Sequence, residues 1–159
     1  MPHQLTVAAL AEVGSLDLGA SPWRRIEQPR VDLFADATDD HQWIHVDPER
    51  SASGPFGGTI AHGYLTLSLV PAMLKELIAV TDQGRGTNYG LDKVRFTAPV
   101  PVGAELRLRA AVTDASRRDD GGVRYRVALT MEVKDQERPA MVGESIYLTY
   151  PQGGATAAR

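Results

Sequence analysis

The run from Gly63 to Ile78 constrains the fold of this chain more than any other stretch. Tyr64, Leu65, Leu67, Leu69, Val70, Ala72, Met73, Leu74, Leu77 and Ile78 cover nearly the whole circumference of a helix. A helix that is apolar all round has to be buried all round, so other elements must enclose it. Pro71 removes one helical hydrogen bond and predicts a kink. The apolar run lies at the short limit for crossing a bilayer and carries Lys75 and Glu76, so it is expected to be a core helix rather than a membrane span.

What encloses it follows in the chain. Everything after Gly86 has strand character. Asn88–Thr97 ends with Val94 and Phe96 on one face and Arg95 on the other. Glu105–Thr113 places Leu106, Leu108, Ala110 and Val112 inward and Arg107 and Arg109 outward. Asp119-Asp120-Gly121-Gly122 marks a hairpin turn. Val123–Lys134 alternates again. Met141–Tyr150 alternates a third time, with Val142, Ile146 and Leu148 as its expected apolar face. Sustained period-2 alternation predicts an antiparallel sheet with one wet face. Four or five such strands curled around one helix give an α+β fold, because the strands are clustered rather than interleaved with helices. Upstream, Leu5–Val13 is expected as a short helix and Ser15–Ala20 as a loop. Ser21-Pro22-Trp23 suits a turn. Pro29–Thr38 is expected as a helix, with Val31, Phe34 and Ala35 on one face. It delivers the polar turn TDDHQWIHVD, and an irregular Gly-rich loop follows from Ser51 to Gly58. The 159 residues fit a single domain over 1–150, with 151–159 as a small, polar, disordered tail.

Composition narrows the function classes. There are no cysteines, which excludes disulfides and thiolate metal sites and fits a reducing compartment. The net charge is −3, so no basic excess points to nucleic acid or an anionic membrane. The N-terminus lacks the pattern of a signal peptide, and a cytoplasmic protein is expected.

The chemistry-bearing residues flank the apolar run. Asp40 and His45 lie five apart on the polar turn, and a carboxylate and an imidazole there can hold one water between them. The spacing alone equally suits an Asp40 bonded to turn backbone and a His45 satisfied in the core. Gly63 offers a backbone N–H at a helix start, where amides have no intrahelical partner and can stabilise a developing oxyanion. The ordinary alternative is a glycine that simply lets the loop turn into the helix. Ser68 and Asn88 are weaker candidates for substrate contact, as a back-bonded serine and a turn residue are the plain alternatives. Trp43, Phe56 and Tyr64 are placed to shape a cavity. His41, His45 and His62 with Asp39, Asp40 or Asp47 would be the metal alternative, but no third ligand is fixed by spacing, and no metal is expected.

Taken together, FADATDDHQWIHVDPERSASGPFGGTIAHGYLTLSL resembles the hydratase motif of the MaoC-like dehydratases, the R-specific 2-enoyl-CoA hydratases. The matching positions are Asp40, His45, Val46-Asp47 and His62-Gly63, and NYG at Asn88-Tyr89-Gly90 is similar to a bacterial subgroup. The resemblance implies a hot-dog fold, a homodimer joined through a continuous sheet, and an acyl-CoA or acyl-carrier-protein thioester as substrate, with no cofactor. It implies that Asp40 and His45 activate the water that adds to a trans-2-enoyl thioester, and that the Gly63 N–H holds the thioester oxygen. Tyr64, Ser68 and Asn88 would contact substrate. Gln42 and Trp43 stand where many members have Asn-Pro, and Pro71 stands where some have a small polar residue. A hot-dog thioesterase and a non-catalytic acyl-CoA-binding module are the competing expectations. The first would need a carboxylate on the helix, where only Glu76 is available, and the second sits poorly with an intact Asp40 and His45.

Overall fold

The computed structural model describes residues 1–153. In chain order the elements are β1 (His3–Leu5), α1 (Val7–Glu12), β2 (Leu16–Ala20), β3 (Arg24–Arg25), α2 (Gln28–Thr38), α3 (Trp43–Val46), α4 (Pro48–Ala52), α5 (Gly63–Ser68), α6 (Val70–Leu74), β4 (Ile78–Val80), β5 (Gln83–Phe96), β6 (Glu105–Arg117), β7 (Val123–Val133) and β8 (Met141–Pro151). A six-stranded antiparallel sheet runs β2-β6-β7-β8-β5, with β3 pairing to the end of β6. The short β1 and β4 pair in parallel. The expected α+β architecture is present. The inward residues of β6 and β7 form one core with Val70, Met73 and Leu74 of α6. Among the described residues no helix is long and apolar enough to cross a membrane.

The strands follow their patterns. Leu106, Leu108, Ala110 and Val112 of β6 are buried, as is every second residue of β7 from Val123 to Val133. The hairpin between them turns at Gly121 with φ 82°, a conformation that glycine adopts without steric cost. β8 corrects the expected face. Met141, Gly143, Ser145, Tyr147 and Thr149 sit opposite the inward residues Met131, Leu129, Val127, Tyr125 and Val123. Val142, Glu144, Ile146 and Leu148 therefore belong to the outer face. A one-residue shift of register inverts every side chain of a strand, and here cross-strand partners outweighed the apolar count: Tyr147 stacks on Tyr125 at 5.2 Å between centroids. Pro151 still belongs to β8, and the rest of the expected disordered tail, beyond Gly153, lies outside the described residues.

Other expectations shift too. Of the loop expected over Ser15–Ala20, Leu16–Ala20 forms β2, with a bulge between Asp17 and Gly19 where Gly19 takes φ 76°. The helix expected over Leu5–Val13 begins only at Val7, capped by the Thr6 hydroxyl, which accepts from the Ala9 N–H at 3.1 Å. Asn88 does not open β5 but lies within it, opposite Tyr147. The apolar helix is broken at Leu69 into α5 and α6, in keeping with Pro71, and its last residues, from Ile78, pass into β4. It is not buried on all sides. Tyr64 is 70% exposed, and Ser68, Ala72 and Lys75 continue the exposed stripe at helical spacing.

Candidate functional site

The site begins where α2 stops. Asp39 takes a left-handed conformation, φ 57°, that ends the helix, and Asp40 follows with its side chain 54% exposed. The polar segment expected as a turn closes instead into the single helical turn α3: the His45 N–H donates to Gln42 O at 2.9 Å and the Asp47 N–H to Trp43 O at 3.1 Å. Asp47 then accepts from the Arg50 N–H and caps α4, with Pro48 at its start. A distant strand-like crossing holds α3 in place, because the Ile60 N–H donates to Ile44 O at 3.0 Å. This puts the Ile60 carbonyl against His45.

His45 is buried, and its Nδ1–H donates to Ile60 O at 2.6 Å. A carbonyl can only accept, so the bond assigns the proton to Nδ1 and leaves the Nε2 lone pair free. Burial pushes the imidazole below its ordinary value of 6.5, and His62 adds to this, while the Ile60 carbonyl and Asp40 act in the opposite direction. The neutral form, the one that can accept a proton, is therefore favoured near neutral pH. His62 lies against it with ring centroids 3.8 Å apart and planes at 26°. The His62 Nε2–H donates to the Asp40 carbonyl at 2.9 Å. Asp40, His45 and His62 each bring a titratable atom within 4.8 Å of the others.

The metal alternative fits this arrangement poorly. Stacked imidazoles have nearly parallel planes, so their lone pairs do not converge on one ion. His41 is turned to Asp36 at 2.8 Å, and that hydrogen bond raises its pKa. Asp47 is engaged at the start of α4.

Gly63 opens α5, and the first intrahelical bond there runs from the Thr66 N–H to His62 O at 3.2 Å. Gly63 shares a cleft of about 280 Å³ with His45, Ile60, Thr66 and Phe96. A glycine lets the Phe96 ring lie close: a Cβ here would sit 3.0 Å from that ring, which would have to give by a few tenths of an ångström. Tyr64 stands edge-on to the same ring at 5.8 Å. Ser68 donates to Tyr64 O at 2.7 Å, the back-bonding pattern of a helical serine. Ser68 and Asn88 line a second cleft of about 290 Å³, with Leu67, Pro71 and Tyr147. The structure thus gathers Asp40, His45 and Gly63 at one end of the broken helix. It leaves Ser68 and Asn88 further along, and Tyr64 on the outside.

One residue of the site, Gln28, has no place in the sequence pattern. His62 stands in the pattern beside Gly63, but nothing in its spacing announces a stack on His45. Gln28 joins three segments: its Nε2 donates to His45 O at 2.7 Å and to Asp32 Oδ1 at 2.8 Å, and its Oε1 accepts from the Thr59 hydroxyl at 2.6 Å. A glutamine at a helix start carries no signal of such contacts.

This geometry can be set beside known proteins. Residues 15–134 match the family described as MaoC like domain. The chain is 49% identical over 141 residues to 3-hydroxyacyl-thioester dehydratase Z of Mycobacterium tuberculosis, covering 89% of this chain and 93% of that one. It is 43% identical over 146 residues to nodulation protein N of Rhizobium leguminosarum bv. viciae, covering 91% of each. The solved structure of the (R)-hydratase from Aeromonas caviae superposes with a TM-score of 0.66 at 25% identity, covering 83% of this chain and 94% of that one. The family match over residues 15–134, the 49% identity along most of the chain and the common fold together show that the protein belongs to the MaoC-like family of hot-dog domains.

Proposed function

We propose that this protein is a hydro-lyase that reversibly hydrates trans-2-enoyl thioesters to (R)-3-hydroxyacyl thioesters. The observation that carries the reading is the His45 Nδ1–H bond to the Ile60 carbonyl, which leaves Nε2 as a free base beside Asp40. The dehydratase named for the 49% identical relative supports the substrate class. In the hydration direction, water rests between His45 and Asp40. His45 Nε2 takes its proton as the oxygen bonds to C3, and electron density moves through C2 to the thioester oxygen. The Gly63 N–H holds that oxygen as it gains enolate character. The enolate then collapses as C2 takes the proton that water gave up, passed from His45 to the Asp40 carboxylate and from that carboxyl to carbon, so the pair ends as it began. The two groups act as one coupled unit. Tyr64, Ser68 and Asn88 are assigned to the path of the acyl chain and its thioester, and no cofactor enters the scheme.

A homodimer completes the reading. β5 is an edge strand of the sheet, and Tyr89, Leu91 and Phe96 on it are exposed together with Tyr64 on α5. Unpaired strand edges with large apolar side chains are where a second copy adds. The carrier is CoA or acyl carrier protein, and a cytoplasmic setting suits either.

The test is loss of enoyl-thioester absorbance across a chain-length series, with chiral analysis of the product. Hydration to the (R) product is expected. Release of free thiol without hydration would make the protein a thioesterase, and binding without turnover would make it an acyl-thioester-binding module. The carboxylate a thioesterase would use, Glu76, is paired with Arg24 beyond the end of α6.

A further inference from the structure

His62 makes no contact that the hydration scheme uses, yet it is 2% exposed and sits between both halves of the dyad. Its Nε2–H holds the Asp40 carbonyl, and its ring lies flat on His45. Its ring also meets Phe34 of α2, tilted by 53° at 5.0 Å between centroids. Its Nδ1 is buried with no hydrogen-bond partner. A buried polar atom without a partner costs free energy, and a purely packing role would be served as well by an aromatic carbocycle. We propose that His62 is a positioning residue for the dyad: one ring edge fixes where Asp40 leaves α2, and one ring face fixes the plane in which His45 presents Nε2 to water. The role rests on the hydratase reading above. The two imidazoles then carry mirrored tautomers. His45 is protonated on Nδ1 and His62 on Nε2, so that each binds one carbonyl, Ile60 and Asp40 respectively. The titratable groups facing His45 are His62 at the start of α5 and Asp40 beyond the end of α2.

Two variants separate edge from face. His62→Phe keeps a flat ring against His45 and Phe34 but loses the donor to Asp40. It should lower kcat roughly tenfold or more, because small misplacements of a reacting group are costly, and leave KM within about threefold. His62→Gln restores a donor of similar reach without the stacked face and should recover part of the lost kcat. In both variants the acid limb of the kcat/KM profile should move to higher pH, because the neighbour that disfavours His45 protonation is gone. Wild-type kcat and an unmoved pH profile in both folded variants would overturn the proposal, as would a loss confined to KM. A readout on the wild-type protein needs no variant. The chain has four histidines, and ¹⁵N-histidine labelling distinguishes their tautomers. The expected result is Nε2–H for His62 and Nδ1–H for His45. A His62 protonated on Nδ1 near pH 7 would sink the idea whether or not the variants fold. An active wild type with indifferent His62 variants removes this role alone, whereas a wild type that hydrates no enoyl thioester removes the hydratase reading itself.

Discussion

Asp40 and His45 sit in different surroundings, Asp40 half exposed and His45 buried. Asp40 is half exposed and should tolerate substitution structurally, so Asp40→Asn is expected to lose roughly 10²- to 10⁴-fold in kcat while keeping a near-native melting temperature. His45 is buried with a depressed pKa, so activity should fall as pH drops below the ordinary histidine value of 6.5, with the acid limb of kcat/KM below that value. The sign for stability follows. The unfolded state takes up a proton on this histidine before the folded state does, so the contribution of a neutral His45 is complete above 6.5 and is lost as pH falls through the folded pKa. Chemical denaturation between pH 7 and pH 5 would read it. Gly63 and Phe96 form a second pair. Gly63→Ala drives a methyl against the ring and should cost about 1–3 kcal/mol. The same change in a Phe96→Ala background should cost much less, and a double-mutant cycle measures the difference. At this scale the sequence displayed Asp40, His45 and Gly63 because their order along the chain is itself the pattern. It displayed His62 but not its stack on His45, and it hid Gln28, because these contacts are with partners distant in sequence and unconstrained by any local periodicity.

The elements were legible where one periodicity governed and obscure where two influences competed. β7 and the first part of β6, from Glu105 to Val112, follow alternation cleanly because their inward residues are all apolar, and a bulge after Val112 ends the pattern in β6. β8 does not: its inward face includes Ser145 and Thr149, both buried, while its outward face carries Val142, Ile146 and Leu148. Counting apolar residues picks the wrong face, since Ser145 and Thr149 are buried opposite Val127 and Val123 while Ile146, on the other face, is buried too. The inverted face makes a direct prediction. Met141→Ala, from a fully buried position, should cost about 2–5 kcal/mol. Val142→Ala on the outer face should cost under about 1 kcal/mol, and urea unfolding would tell them apart. If the two costs were reversed, the register of β7 with β8 would be wrong. β2 escaped notice for a related reason: Gly19 bulges it, and bulges erase the alternation that identifies a strand.

For the whole molecule, the apolar helix predicted correctly that a sheet must curl around it. It mispredicted full burial within one chain, because apolarity all round says only that something covers each side, not that the same chain does. Two residues of the exposed stripe lie near exposed side chains of β5, Tyr64 against Phe96 and Ser68 in one cleft with Tyr89 and Leu91. For the proposed homodimer, sedimentation should give twice the monomer mass, and the paired change Tyr89→Lys with Leu91→Lys should shift it to monomer, since desolvating like charges across a new interface costs several kcal/mol. A wild-type protein that sediments as a monomer at micromolar concentration would refute it. Within the chain, Gln28 has a consequence of its own. It ties the backbone of His45 and the hydroxyl of Thr59 to the first turn of α2. The placement of the His45 imidazole is therefore a property of three separate segments acting together. Transplanting residues 40–63 alone into another scaffold would carry over the recognisable motif and leave behind the anchor that aims it.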